Sequence, residues 1–142
     1  IVGEGPRRAA LETRARRLGV EDRVAFRGRQ GRSGVRKALW DAHAFVLPSR
    51  HETFGVALVE AMATGLPVVA TRSGGPEDIV TTETGRLVPP DAPAALAEAL
   101  RSMRMRSGAH DAGRIRAHAV SHYGPAPFVR RTHAFYRRAC AA

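Results

Sequence analysis

Pro48–Gly65 reads PSRHETFGVALVEAMATG. Ahead of it, Ala42–Leu47 (AHAFVL) is an apolar run of strand length that Pro48 closes. Behind it, Gly65-Leu66-Pro67 stops a helix and opens a second such run, Val68–Thr71. The middle carries Val56, Ala57, Val59, Ala61, Met62 and Ala63 around most of a helical circumference, so the spacing predicts a largely buried helix from about Gly55. Strand, helix and strand in close succession predict a parallel crossover unit. Glu52 falls on the loop before the helix, and Glu60 follows after seven residues, inside the helix. A glutamate in a buried helix requires a partner or a ligand. Gly55 marks the junction, where a helix presents unpaired N–H groups and the positive end of its dipole. Such a terminus receives phosphate, and a residue without Cβ lets it come close. A carboxylate on the same helix suits a diol such as ribose, because it accepts from both hydroxyls. Phosphate at the helix start with ribose beside it describes a nucleotide site.

The same alternation continues outward. Ile1-Val2 reads as the end of a buried strand, followed by the turn Gly3-Glu4-Gly5-Pro6. Two residues cannot hold a sheet edge, so the natural domain is expected to begin upstream. Arg7–Leu18 is a helix stopped by Gly19, Arg23–Arg27 a short strand, and Gly34–Trp40 a helix with Val35, Leu39 and Trp40 inward. Beyond the central stretch, Arg72–Gly75 is a glycine loop and Pro76-Glu77-Asp78 starts a short helix, with Glu77 read as a stabiliser of its start. Arg86–Val88 is a fifth strand. A helix from about Ala92 to Met105 points Leu96, Ala99, Leu100 and Met103 inward. Ser107–Ser121 can form a further helix. After the break at Tyr123-Gly124-Pro125, Ala126–Cys140 is an amphipathic helix with Phe128, Phe135 and Tyr136 on one face. The fold expected is α/β: a five-strand, Rossmann-like parallel sheet with helices on both faces. Ligands in such sheets sit at the carboxyl ends of the strands, which gathers Gly3, Gly5, Glu52, Gly55 and Gly74 on one rim. Residues 1–142 read as one domain, with a Rossmann-like core over 1–105 and a helical tail over 106–142.

The chain has 142 residues and a formal charge of +10, and Lys37 is its only lysine. Solvated arginine charge accounts for most of that balance. Attraction to an anionic membrane is a further partner class. Nucleic acid is disfavoured, since the basic residues are scattered and no recognised module accompanies them. Cys140 is the only cysteine, which rules out an internal disulfide and suggests a reducing cytoplasm. No run reaches the length of a membrane span. His110, His118, His122 and His133 have no convincing zinc spacing, and no metal site is expected.

At Pro48–Ala70 the chain resembles the retaining glycosyltransferases of the GT-B fold, family 4, whose donor site is marked by two glutamates seven residues apart. The resemblance extends to Gly3-Glu4-Gly5-Pro6, Val24–Gly28, Gly74-Gly75-Pro76-Glu77 and Thr84–Val88, in unbroken order over about the first hundred residues. It implies the C-terminal, nucleotide-sugar-binding half of a GT-B enzyme. By this resemblance Glu60 binds the ribose hydroxyls, and Glu52, the catalytic candidate, holds hydroxyls of the transferred sugar. The amides of Thr53, Phe54 and Gly55 face the sugar, those of Val56 and Ala57 face the diphosphate, and Gly3 and Gly5 lie near the donor. It implies a UDP-sugar as the favoured donor, no other cofactor, and transfer with retention of configuration. The acceptor-binding N-terminal domain and the basic pair that grips the diphosphate would lie upstream of Ile1. The 142-residue chain is therefore expected to bind nucleotide weakly and to transfer no sugar alone. The location implied is cytoplasmic, including the inner face of the membrane. A non-catalytic nucleotide-binding module stays open as the alternative. An epimerase of nucleotide sugars shares the fold but lacks the Glu52/Glu60 arrangement.

Overall fold

The computed structural model describes residues 1–105 and 110–140. The chain divides into two compact units, Ile1–Asp41 and Ala42–Ala142.

In the first unit, α1 (Arg8–Arg17) is built from alanine, leucine and arginine, all good helix formers. Arg8 pairs with Glu12 one turn on at 2.8 Å, and Arg14, Arg16 and Arg17 face the negative end of the dipole. Gly19 ends it with φ 62°. A 3-10 turn (Glu21–Arg23) follows. Of the expected strand at Arg23–Arg27, Arg23 belongs to this turn, and the chain after it pairs with the first residues: Ile1 donates to the Ala25 carbonyl, Arg27 to that of Ile1 and Gly3 to that of Gly28. Neither segment counts as a strand, because two residues are too few for a ladder. Ile1 is exposed rather than buried. The next helix, α2 (Arg32–Trp40), starts two residues before the expected Gly34 and buries Leu39. Trp40 does not turn inward as expected; it is 65% exposed. It lies about 100° around the helix from Leu39, and the Arg36 guanidinium covers its ring at 5.0 Å.

The second unit runs β1 (Phe45–Leu47), α3 (Val56–Ala63), β2 (Val68–Thr71), α4 (Pro76–Ile79), β3 (Gly85–Val88), α5 (Pro93–Met105), α6 (Ala112–Tyr123) and α7 (Pro125–Cys140). Among the described residues the sheet has three strands rather than five, all parallel, in the order β1-β2-β3. Val46 is level with Val69, and Val69 with Arg86. Buried along its whole length, β2 lacks the alternation of a half-exposed strand, as a central parallel strand should. Val69 packs with Val88 and with Leu96, Ala99, Leu100 and Met103 of α5, as the periodicity predicted.

The apolar circumference of α3 is only partly covered. Leu58, Ala61 and Met62 are fully buried, where the helix meets the sheet and α6. Val56 and Glu60 are one turn apart and face outward. Glu60 is thus an exposed glutamate, not the buried one that the apolar pattern suggested, because the described residues leave that side of α3 open. Glu77 stabilises the start of α4: its Oε2 accepts from the amides of Ser73 and Gly74 at 3.1 and 3.2 Å. Asp111 caps α6 by accepting from the Arg114 amide. The expected helix start at Ser107, and the start of the tail at residue 106, fall outside the described residues.

Candidate functional site

The carboxyl ends of β1 and β2 release the two loops that build the site. The Thr71 hydroxyl, nearly buried at the end of β2, donates to the Ser49 carbonyl and so ties the first loop to the sheet. Three residues on, the loops pair as an isolated parallel bridge between Glu52 and Gly74. The Glu52 amide donates to the Ser73 carbonyl at 2.9 Å, and the Gly75 amide donates to the Glu52 carbonyl at 2.7 Å. This bridge requires two glycines. A Cβ on Gly74 would stand 2.7 Å from the Glu52 carbonyl oxygen, and Gly74 also has φ 115°. A Cβ on Gly75 would stand 2.3 Å from the Phe54 carbonyl oxygen.

From the bridge the chain turns through Thr53 and Phe54 into Gly55, whose φ of 103° favours glycine. Gly55 is buried against Leu58 and Ile79. Its carbonyl accepts from Leu58 and Val59, which starts α3. The amides of Val56 and Ala57 have no acceptor among the described residues, as the first turn of a helix requires. The half-buried Glu52 turns its Oε1 to the Phe54 amide at 3.3 Å. Two carboxylates therefore flank a helix start with free donors, Glu52 before it and Glu60 one turn inside it. The arrangement can hold an anion at the amides and hydroxyls at the carboxylates. Among the described residues no three His, Cys, Asp or Glu side chains come together as metal ligands.

The structure thus brings Glu52, Thr53, Phe54, Gly55, Val56, Ala57 and Glu60 onto one loop and helix, with Gly74 and Gly75 against them. Gly3 and Gly5 belong to the first unit, on the turn before α1, where Gly3 has φ 126°.

Residues from the tail also join the site, which sequence reading missed. Phe54, Val56, Glu60, Tyr123, Phe128 and Arg131 line an open groove of about 670 Å³. The Phe54 ring meets Tyr123 edge-on, with centroids 5.8 Å apart. The Tyr123 hydroxyl donates to the Asp78 carbonyl at 2.8 Å, bracing the end of α6 against α4. In sequence Tyr123 looked only like part of a chain break, and no local spacing links it to Phe54. Burial raises the Tyr123 phenol above its usual pKa; Arg131 opposes this and Asp78 adds to it. A raised phenol pKa means that folding favours the protonated hydroxyl. Its contribution is complete below about pH 10 and is lost as pH rises through the folded value. Tyr123→Phe should therefore cost about 1 kcal/mol at neutral pH. In urea titrations the gap to the parent should narrow above about pH 10. A gap independent of pH would disprove the linkage.

A model of the family described as glycosyl transferases group 1 matches residues 1–104. A GDP-mannose-dependent alpha-(1-6)-phosphatidylinositol dimannoside mannosyltransferase of Mycobacterium tuberculosis is 34% identical over 110 residues, covering 78% of this chain and 28% of that protein. The solved sucrose-phosphate synthase of Thermosynechococcus elongatus superposes with a TM-score of 0.85 at 28% identity, over 99% of this chain and 38% of that one. Anabaena HepE, solved in complex with UDP, superposes with a TM-score of 0.86 at 25% identity, over 96% and 40%. The chain spans well under half the length of each of these relatives.

Proposed function

The chain belongs to the group 1 glycosyl transferases, and from that premise we propose that it holds the nucleotide-sugar donor of a retaining glycosyl transfer. One observation carries the reading: the free Val56 and Ala57 amides at the start of α3, with Glu52 and Glu60 on either side. The amides and helix dipole would receive the diphosphate. Glu60 would accept from the ribose hydroxyls, and Glu52 would hold hydroxyls of the sugar. As the bond from the anomeric carbon to the phosphate oxygen breaks, negative charge grows on the diphosphate. Fixed N–H donors aimed there lower the barrier most. The acceptor oxygen forms the new bond on the same face, and its proton leaves with the phosphate.

UDP is the nucleotide we favour, supported by the UDP complex of HepE. The GDP-mannose dependence in the name of the mannosyltransferase makes GDP its competitor. We further propose one domain, with a core over 1–105 and a helical tail over 106–142, completed in the active enzyme by an acceptor domain. The setting proposed is cytoplasmic, with peripheral contact to an anionic membrane.

Thermal unfolding with UDP, GDP and ADP, on the parent and on Glu60→Ala, tests the donor site. A nucleotide at about ten times its dissociation constant should add about 1.4 kcal/mol to the parent and much less to the variant. Equal stabilisation of both would refute the role of Glu60. The same samples with labelled donor should transfer no sugar; turnover by this chain would refute the need for an acceptor domain.

A further inference from the structure

Tyr123 lies outside the stretch 1–104 that the family model matches, yet its ring meets the loop that carries Glu52. The course of α6 brings it there. Ile115 and Ala119 are buried on that helix, which packs along α3. The Arg116 guanidinium donates to the Ala63 carbonyl at the end of α3, and Tyr123 meets Phe54 just ahead of its start. The two helices therefore run antiparallel, and α6 ends where the donor loop enters α3. Tyr123 is held in that place from its own helix and from α4. Its hydroxyl donates to the Asp78 carbonyl at 2.8 Å. The stacked rings of His118 and His122 stand behind it, their centroids 6.3 and 6.1 Å from that of Tyr123. The Phe54 ring meets it at an interplanar angle of 75°, the edge-to-face geometry that aromatic pairs favour.

Phe54 in turn sits among the proposed donor contacts. Its amide donates to the Glu52 Oε1 at 3.3 Å. Its carbonyl and Cα pack so closely on Gly75 that no Cβ fits between them. The next residue is Gly55, whose left-handed turn aims the Val56 and Ala57 amides. Phe54 is thus fixed through its backbone by Gly75 and through its ring by Tyr123. We infer that Tyr123 is a positioning residue of the donor site: its ring holds Phe54, and through Phe54 the Glu52 carboxylate and the turn into α3. The end of α6 is then part of the nucleotide-binding apparatus. The inference rests on the donor reading above, and the measurements that follow separate the two.

UDP affinity of the 142-residue chain is measured by calorimetric titration, and the protection of the Glu52, Phe54 and Gly75 amides by hydrogen exchange. Tyr123→Leu should weaken UDP binding by about twofold to tenfold, the range an aromatic pair spans, and should speed exchange at those amides. Phe54→Leu removes the same contact from the loop side and should give a loss of similar size. The double variant should lose little more than either single one, because both delete one contact. Tyr123→Phe keeps the ring and should recover most of the affinity that Tyr123→Leu loses, although it lacks the hydroxyl. Ile115→Val, buried on the same helix, should lower the melting temperature and leave UDP affinity and loop exchange as in the parent. A tyrosine that only closed the core would behave as Ile115 does. Parental UDP affinity in Tyr123→Leu, or an equal loss in Ile115→Val, would overturn the inference and leave the donor reading intact. A parent that binds none of UDP, GDP and ADP would remove the donor reading itself, while faster loop exchange in Tyr123→Leu would still support the hold on Phe54.

Discussion

Leu58→Ala should lower the stability of the second unit by about 2–5 kcal/mol, the range for deleting a buried leucine side chain. Leu58 is fully buried on α3, beside Met62 and Ala61, where the helix meets the sheet and α6. The loss includes a cavity as well as lost transfer energy, because the parallel strands beneath are held by their ladder and cannot collapse into the space. Leu58 has a second task. Its Cδ1 and that of Ile79 pack against Gly55, at 3.0 and 3.5 Å from where a Cβ would stand. The left-handed turn that aims the Val56 and Ala57 amides is therefore supported from the core. Urea titration should show the lost stability, and nucleotide should stabilise the variant less than the parent. As a control, Leu18→Ala, at a position 64% exposed, should change stability by no more than about 0.5 kcal/mol. A Leu58→Ala effect as small as the control would show that α3 is not held as described.

Gly75→Ala should abolish nucleotide binding through a single added methyl group. Gly75 has φ −49° and ψ −36°, which any residue adopts, so the cost is steric rather than conformational. The added Cβ would stand 2.3 Å from the Phe54 carbonyl oxygen and 2.4 Å from its Cα. Both are backbone atoms, so relief requires the whole loop to move. That loop is the one held by the Gly75 amide to the Glu52 carbonyl at 2.7 Å. Overpacking of this kind costs about 1–3 kcal/mol, and the relaxed loop no longer sets Glu52 against the start of α3. Nucleotide-dependent stabilisation should disappear. Gly31→Ala is the comparison, since no atom lies within 4 Å of its Cβ position. It should keep the nucleotide response. A Gly75→Ala protein with parental stability and response would remove the bridge from the account of the site.

Much of this site was legible before any coordinates, because its parts are local. Glu52, Gly55 and Glu60 are close in sequence, and a loop running into a helix fixes their order along one edge. Apolar runs of strand length at Ala42–Leu47 and Val68–Thr71 announced parallel strands, since buried strands need no alternation; of the first run, Phe45–Leu47 forms β1. The α5 face was legible for the same reason: Leu96, Ala99, Leu100 and Met103 repeat with the helical period and meet one neighbour.

What could not be read depended on partners distant in the chain. Glu60 looked buried because composition shows how apolar a helix is, not which side its neighbours cover. Trp40 looked like core for its size, yet one step around a short helix placed it under Arg36 instead of inside. The pairing of Glu52 with Gly74 and the meeting of Phe54 with Tyr123 join residues far apart in sequence, and no periodicity encodes such contacts. Local chemistry is written in spacing, whereas burial and pairing follow only when the sheet sets its loops side by side.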